Sequence, residues 1–429
     1  MAGPARTSQS TSRLWVLRCV VLGAALAALA WKLDLAASTR GQGDVYTFAA
    51  FARATSRFGP IGIYGHKIVE NGRPFAVYNH PPAIGWMLLF FNWLVGHGYS
   101  FRFLIRLPAS LADVVSTMLV FELVRSRRSL AQATVAGVLV AISPVLVVVS
   151  GFHGNTDPVF VMFSLLSLYF LVMRPWGVLA GISFAMAISV KIIPIVTLPV
   201  LLLVAWRAGR KRLVQFLVGS GAVLLVLWLP VVIERWRPFA RDVLGYKGFA
   251  GKWGIVEFAT VLGASQHILD LMEGPGRLPL LLLSCGLPLY VAWKRPASAI
   301  PAFGLSLVLV LLLSTGSSGG RYFAWAVAAA FLVDVPLAAV FDIAGGILIV
   351  IVYNRWNGGF PWDFAVASPW THGEAVFGAF VWFALLAVAI RGVLELRSPP
   401  TASGPSREVD VVQAADGAGD ARLATSDLN

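Results

Sequence analysis

The sequence predicts an all-α protein that crosses a membrane many times, and three observations carry this prediction. The mean hydropathy is +0.76, and 13% of the 429 residues are charged, against about 25% in soluble domains. Apolar runs recur along the whole chain, many of them close to the roughly 20 residues that cross about 30 Å of hydrocarbon. Within lipid such runs must be helices, because a helix satisfies its own backbone hydrogen bonds.

Hydrophobicity places the membrane segments, and the positions of Lys and Arg orient them. The result is a bundle of about twelve transmembrane helices in the plasma membrane, with both termini in the cytoplasm. The predicted spans are residues 14–36, 103–124, 131–149, 159–173, 176–189, 195–206, 213–233, 278–293, 299–314, 322–333, 337–353 and 375–390.

The domain organisation follows from these spans. Residues 1–13 are predicted to be a cytoplasmic tail, residues 14–395 the membrane domain, and residues 396–429 a disordered cytoplasmic tail. Basic clusters on the cytoplasmic side explain much of the net charge of +13, so the charge does not indicate a nucleic-acid partner. The two cysteines, Cys19 and Cys285, predict neither a disulfide framework nor a cysteine-based metal site.

A long insert of mixed polarity, residues 37–102, follows the first span and is predicted to lie outside the membrane. It contains two helices predicted to lie at the interface. The first, Asp44–Phe58, has Phe48, Phe51 and Phe58 as apolar anchors and Arg53 and Arg57 facing water. The second, residues 83–95, follows Pro81-Pro82 and is short for a span.

Asp44 lies where the chain leaves the membrane, just after Gly41-Gln42-Gly43. A carboxylate that is partly shielded there can have a raised pKa and act as a general base. The alternative is that Asp44 only caps the N-terminus of the interfacial helix.

The turn from His153 to Asp157 joins two apolar spans and contains an imidazole, an amide, a hydroxyl and a carboxylate. Ionisable groups at the membrane face indicate a functional site. The alternative is a capping turn, in which Thr156 or Asp157 caps the helix that begins at Pro158.

Three further positions have more than one interpretation. Lys191 can extend to the outer surface or pair with a phosphate. Gly319-Gly320-Arg321-Tyr322 can approach an anion through backbone N–H groups and the guanidinium. His80 can serve the turn or a ligand.

Asp113, inside an apolar span, is expected to be structural and to pair with Arg106 or a backbone group. Phosphate-loop, dinucleotide-binding and His-Glu-x-x-His motifs are absent from the sequence.

The order of these features over residues 14–353 resembles the GT-C glycosyltransferases, polytopic enzymes that use polyprenyl-phosphate sugars. The nearest in pattern are dolichyl-phosphate-glucose-dependent glucosyltransferases, glycosylphosphatidylinositol mannosyltransferases and bacterial polyprenyl-phosphate-mannose mannosyltransferases. The motifs that carry the resemblance are Asp44, Tyr78-Asn79-His80-Pro81-Pro82, Arg106 with Ala112-Asp113, His153-Gly154-Asn155-Thr156-Asp157, Lys191-Ile192-Ile193-Pro194, Tyr246-Lys247-Gly248 with Trp253, and Arg321-Tyr322-Phe323-Ala324-Trp325.

The resemblance implies an inverting, metal-independent transfer on the extracytoplasmic face, without a cofactor. Asp44 would deprotonate the acceptor hydroxyl, and Asp157 would orient the acceptor or His153. The residues expected to bind the donor phosphate or substrate are Tyr78, His80, His153, Lys191, Lys247, Arg321 and Tyr322. The expected donor is a polyprenyl-phosphate hexose, with mannose as the favoured sugar. The expected acceptor is a glycolipid or a cell-envelope glycan.

Two other classes are compatible with a polytopic chain. A transporter or a flippase for lipid-linked sugars would explain intramembrane charges, but we find no strong internal repeat, and the insert led by Asp44 argues against it. A non-catalytic scaffold would tolerate substitution of Asp44, Asp157 and Arg321 together.

Overall fold

The structure, a computed structural model, describes residues 5–70, 73–246, 253–313 and 320–397. The chain divides into two units, Met1–Val393 and Leu394–Asn429. The first unit holds the helical bundle, and the second contributes only residues 394–397 to the described part. The predicted disordered tail lies outside the described residues from residue 398 onward.

The chain begins with α1 (Ala5–Ser38), which contains the first predicted span. The predicted outer insert then forms five elements: β1 (Gly41–Gln42), α2 (Gly43–Phe58), β2 (Lys67–Glu70), β3 (Arg73–Val77) and α3 (Pro82–Gly96). Both helices predicted for the insert are therefore present. In α2, Phe48 and Phe51 are buried, Phe58 is half-buried, and Arg53 and Arg57 are exposed. The position of α2 at the membrane interface stays a prediction. The strands β2 and β3 pair antiparallel.

The next helices form much of the bundle interior. They are α4 (Phe101–Arg125), α5 (Leu130–Ala141), α6 (Pro144–Leu146), α7 (Asp157–Val172), α8 (Gly177–Val190) and α9 (Leu198–Arg207). A π-helical segment, Val147–His153, continues α6, so residues 130–153 form one interrupted span. α4 packs against α1, α5 and α7, which places the insert and the end of this span on one scaffold.

The middle of the chain contains α10 (Arg210–Leu227), α11 (Leu229–Phe239), α12 (Ile255–Val261), α13 (Gln266–Glu273) and α14 (Arg277–Lys294). α10 packs tightly on α8 because glycines face each other. A Cβ added at Gly181 would lie 2.0 Å from the carbonyl oxygen of Phe216, and one at Gly219 would lie 2.2 Å from that of Val178. Small residues allow such close backbone approach between membrane helices.

The predicted span at residues 213–233 is bent. The helical segments Arg210–Leu227 and Leu229–Leu244 meet at 65°. Pro230 follows the break and lacks the N–H that would continue the helical hydrogen bonds. The bend brings residues 241–246 to the mouth of a cavity described below.

The last elements are α15 (Ala299–Leu312), α16 (Ala324–Val333), α17 (Val335–Asn357), β4 (Phe364–Ala365) and α18 (His372–Leu394). α15 and α16 pack on each other and are buried along most of their length. β4 pairs in parallel with β1. Arg40 and Asp363 form an ion pair at 2.6 Å beside this strand pair, which ties the loop after α17 to the start of the insert.

Among the described residues, five helices are long and apolar enough to cross a membrane, or up to seven if each bent pair is one span. Each of the twelve predicted segments coincides with a helix or a helix pair. The prediction of a helical, polytopic membrane protein is therefore confirmed. The count of about twelve spans stays a prediction.

A buried ion pair joins α1 to α4. Lys32 Nζ lies 2.6 Å from Asp113 Oδ2, and Ser150 Oγ donates to the same oxygen at 2.6 Å. The predicted partner, Arg106, was wrong: it lies seven residues away on α4, roughly 10 Å along the helix. Its guanidinium instead donates to Leu35 O and to Thr39 at the end of α1. Both cations thus fix α1 against α4.

Candidate active site

A cavity of about 1070 Å³ lies between the insert and the ends of several bundle helices. Six predicted site residues line it: Asp44, His80, His153, Lys191, Arg321 and Tyr322. Asp157 and Tyr78 are buried in the protein just beside it. Lys247 lies outside the described residues.

Asp44 is in the first turn of α2 and is not its N-cap. The N-cap is Gln42, whose side-chain oxygen accepts a hydrogen bond from Asp44 N at 2.8 Å. The interpretation of Asp44 as a capping residue is therefore wrong. Its carboxylate lies at a helix N-terminus, where negative charge is favoured, and remains available for other partners.

Both polar partners of the Asp44 carboxylate use one oxygen. His153 Nε2 donates to Oδ2 at 2.9 Å, and Arg321 Nη1 donates to the same atom at 2.8 Å. Among the residues that the structure describes, Oδ1 accepts no hydrogen bond. The side chain is 29% exposed and lines the cavity. One oxygen is thus held while the other can receive a proton from a bound molecule.

The pKa of Asp44 differs from the prediction. Burial alone would raise it, but the charge of Arg321 and the hydrogen bond from His153 outweigh burial and hold the pKa well below its usual range. The predicted raised pKa is therefore wrong for the site without substrate, because the sequence did not reveal that two nitrogen donors meet on Oδ2. The carboxylate is ionised at neutral pH.

His153 is placed by the end of the π-helical segment. Gly154 follows with φ +87° and closes it in the left-handed region. A Cβ at Gly154 would lie 2.5 Å from Val45 Cγ2, so the turn fits closely against α2. The imidazole is 2% exposed and bonds to Asp44 through Nε2 and to the hydroxyl of Tyr353 through Nδ1. The local backbone thus directs His153 at the insert.

Asp157 begins α7, and both of its carboxylate oxygens are occupied. Lys191 Nζ lies 2.5 Å from Oδ1. Trp325 Nε1 and Asn155 Nδ2 donate to Oδ2 at 2.6 and 2.9 Å. Thr156 holds the N-cap position but makes no side-chain capping bond. The capping-turn interpretation therefore describes the position of Thr156 and not the role of Asp157, whose side chain is 1% exposed.

Lys191 follows α8 and turns inward. Besides its ion pair with Asp157, its ammonium lies 4.9 Å from the ring centre of Tyr322 and 4.8 Å from that of Trp325. Such contacts stabilise a cation by cation–π attraction. The alternative that Lys191 only extends to the outer surface is wrong, because its charge lies on the wall of the cavity.

Arg321 and Tyr322 lie in a 3₁₀ turn, Gly320–Phe323, just before α16. Arg321 Nη2 donates to the Tyr322 hydroxyl at 3.2 Å while Nη1 donates to Asp44. The Tyr322 ring in turn lies beside Lys191. Two networks, one around Asp44 and one around Asp157, therefore meet at Tyr322.

His80 packs in an aromatic cluster with Phe48, Phe51 and Tyr78, at ring distances of 4.9, 5.8 and 5.8 Å. Burial, together with the charge of Lys191, lowers the pKa of His80 to about 4 despite the nearby carboxylates. The imidazole is therefore neutral at physiological pH. Tyr78 supports this cluster from behind and is fully buried.

Three residues of the site were not assigned a role from the sequence. Tyr353 bonds His153 from 200 positions away, and only the folded chain shows this pairing. Trp325 and Asn155 belong to the motifs of the resemblance, but their contacts with Asp157 need the structure. Among the described residues, no group of three or more His, Cys, Asp or Glu side chains could hold a metal ion. Metal-independent transfer stays a prediction.

Comparison with known families connects this site to a class of enzymes. Residues 79–234, 156 of the 429 residues, match the family model of dolichyl-phosphate-mannose-protein mannosyltransferases. The matched region includes His80, His153, Asp157 and Lys191. The predicted resemblance to polyprenyl-phosphate-dependent glycosyltransferases of the GT-C class is thereby confirmed. Comparison with curated protein sequences gives no significant match.

Comparison with solved structures gives matches of low sequence identity over most of this chain. ArnT from Cupriavidus metallidurans bound to undecaprenyl phosphate is 15% identical, with a TM-score of 0.48 over 89% of this chain and 77% of that one. Its apo form is 16% identical, with a TM-score of 0.47 over 90% and 78%. The Archaeoglobus fulgidus oligosaccharyltransferase tethered to an acceptor peptide is 13% identical, with a TM-score of 0.37 over 90% and 56%.

Proposed function

We propose that this protein is an inverting glycosyltransferase. It moves a hexose, with mannose as the favoured sugar, from a polyprenyl-phosphate carrier to a glycolipid or cell-envelope glycan on the outer face of the plasma membrane. The observation that carries the proposal is the Asp44 carboxylate, with Oδ2 held by His153 and Arg321 and Oδ1 accepting no hydrogen bond among the described residues. The matched family, named for transfer of mannose from dolichyl phosphate, supports the donor class.

The reaction uses Asp44 as general base. Oδ1 accepts the proton of the acceptor hydroxyl while the hydroxyl oxygen bonds to the anomeric carbon of the sugar. The bond from that carbon to the phosphate oxygen breaks, and polyprenyl phosphate leaves with the electron pair. Attack opposite the leaving group inverts the anomeric configuration, and Asp44 ends the step protonated.

Cations beside Asp44 suit the leaving group. A phosphate monoester needs stabilisation of negative charge rather than a proton donor. Lys191 and Arg321 both line the cavity, and Arg321 can fork onto phosphate oxygens. A bound phosphate also competes with Asp44 for the charge of Arg321. Donor binding therefore raises the pKa of Asp44 from its low resting value and makes the carboxylate a better base.

Asp157 has a different role in this proposal. Both of its oxygens are occupied, and among the described residues no hydrogen bond joins it to His153. It holds Lys191 in place between the rings of Tyr322 and Trp325. Asp157 is thus a positioning residue for the phosphate-binding lysine, rather than the residue that orients the acceptor or His153.

The apolar part of the cavity suits the lipid. Its lining includes isoleucines after α8 and leucines of α14, and α14 belongs to a helix pair bent by 52°. Hydrophobic side chains there can bury the first isoprene units of the carrier while its phosphate meets Lys191. The carrier would enter from the bilayer, which is the expected partner of the helical bundle.

Transfer by the purified protein in detergent tests the proposal. Short-chain polyprenyl-phosphate mannose and polyprenyl-phosphate glucose are offered separately with a membrane lipid extract, and release of polyprenyl phosphate and formation of a glycolipid are measured. We expect release with mannose. Movement of the intact donor across liposomes without any release would contradict the proposal and support the flippase alternative.

A further inference from the structure

Tyr353 is a buried member of the Asp44 network. It lies on α17, one turn before the helix ends, and is 2% exposed. Its ring packs between Phe152, Trp356 and Trp362 at 6.0, 5.2 and 6.2 Å. The hydroxyl therefore has a fixed direction, and it bonds to Nδ1 of His153. No role for this tyrosine follows from the motifs.

The charges around His153 determine which nitrogen carries its proton. The Asp44 carboxylate can only accept, so Nε2 must donate to it. Arg321 already balances the charge of Asp44, and a second full positive charge on a side chain that is 2% exposed would be costly. A neutral imidazole has one N–H, so Nδ1 carries a lone pair. The Tyr353 hydroxyl then donates to Nδ1.

We infer that Tyr353 is a positioning residue for the catalytic base. Its hydroxyl and the Asp44 carboxylate hold the two nitrogens of His153 from opposite sides, which fixes the tilt of the ring. The ring then holds Oδ2 of Asp44, and this leaves Oδ1 directed at the acceptor. The inference rests on the proposed function, because it assigns a task within the same reaction.

The first test needs no substrate. The protein is labelled with ¹⁵N-histidine and reconstituted in lipid nanodiscs, and the signal of His153 among the six histidines is identified by its loss in His153→Gln. We expect a neutral ring with the proton on Nε2 and an imine Nδ1 signal shifted by a hydrogen bond. In Tyr353→Phe that Nδ1 signal should move to the position of an unbonded imine nitrogen. A proton on Nδ1, an imidazolium, or an unchanged Nδ1 signal would overturn the inference.

The second test separates positioning from packing. Tyr353→Phe keeps the ring and removes one hydroxyl. Tyr169→Phe, near the C-terminal end of α7, makes the same change and serves as the control. With polyprenyl-phosphate mannose as donor, we expect kcat per folded molecule to fall roughly tenfold in Tyr353→Phe, with the KM of the donor unchanged. Tyr169→Phe should match wild type. An unaltered kcat, or a loss explained by a lower melting temperature, would contradict positioning.

The two tests also separate this inference from the proposed function. A protein with the expected nitrogen signals that transfers neither mannose nor glucose would contradict the proposed function as stated, while the Tyr353–His153 bond would stand. A protein that transfers mannose but shows the proton on Nδ1 would uphold the function and overturn the role of Tyr353.

Discussion

Asp44 and Asp157 have the same side chain, lie in one site and each pair with a cation, yet their surroundings differ. Asp44 is 29% exposed and presents Oδ1 without a hydrogen bond from the described residues. Asp157 is 1% exposed, and both of its oxygens are occupied by Lys191, Trp325 and Asn155. Because both aspartates form ion pairs but differ in exposure and in the partners of their oxygens, an ion pair alone does not identify a catalytic acid or base. The proposed base differs from Asp157 in having one oxygen that accepts no hydrogen bond from the described residues and in lining the cavity.

The largest expected effect is on catalysis by Asp44→Asn. The amide keeps the shape of the side chain but cannot take the acceptor proton, so we expect the transfer rate to fall by about 10²–10⁴. Binding of polyprenyl phosphate, measured by titration, should stay near wild type. Asp34→Asn, which alters an exposed acid of α1, serves as control. A wild-type transfer rate in Asp44→Asn would contradict the assignment of Asp44 as the base.

The second effect concerns stability. Lys191→Met leaves Asp157 buried without its cation, and breaking a buried pair costs about 3 kcal/mol. The double variant Asp157→Asn with Lys191→Met removes both charges and should recover most of this loss. Transfer should stay low in the double variant, because the phosphate-binding charge is missing. Thermal unfolding and transfer are measured together, and an equal destabilisation in both variants would contradict a structural role for the pair.

How far the sequence predicted this arrangement differs between the two aspartates. The helices and the bounds of the insert followed from apolar run lengths; α4 at Phe101–Arg125 was predicted as residues 103–124. Asp44 was singled out by its position just after the first span, and its role as base was implied by the resemblance. The burial of Asp157 did not follow, since its partners come from three separate segments. Pairings such as Tyr353 with His153 depend on packing between elements 200 positions apart. Hydrophobic periodicity reports which residues face inward and not which ones meet.

The third prediction uses His80, whose pKa is affected by both networks. Its pKa is about 4 in the folded protein and about 6.5 unfolded. Between these values the unfolded chain binds more protons, so the free energy of unfolding rises with pH. This contribution is complete above pH 6.5 and is lost as the pH falls through 4, on the order of 3 kcal/mol.

His80→Phe keeps the ring packing and removes this titration. The melting temperature of the variant should therefore depend less on pH between 6.5 and 4 than that of wild type. His267→Phe, at an exposed histidine, should keep the wild-type dependence. Parallel pH curves for wild type and His80→Phe would show that the surroundings of His80 do not lower its pKa.

The smallest expected effect concerns an exposed ion pair near the start of α2. Asp363→Asn removes the exposed ion pair with Arg40 beside the β1–β4 strand pair. Exposed pairs contribute little to stability because solvent screens them, so the melting temperature should change little. Because β1 leads directly into α2, the variant should lower transfer about twofold at most. A loss as large as that of Asp44→Asn would mean that the strand pair, and not the carboxylate, limits the reaction.

The most direct measurement compares the stability and the transfer rate of variants at both aspartates. Asp44→Asn and Asp157→Asn are purified alongside wild type, and the melting temperature and the rate of polyprenyl-phosphate release from polyprenyl-phosphate mannose are determined for each. The account predicts that Asp44→Asn loses at least about 100-fold in rate per folded molecule, beyond any loss of stability from the broken ion pair with Arg321. Asp157→Asn should melt lower and, at saturating donor, keep most of its rate per folded molecule, because a displaced Lys191 weakens donor binding while Asp44 still takes the proton. The reverse pattern, with Asp157→Asn stable and inactive and Asp44→Asn active, would contradict the assignment of the base.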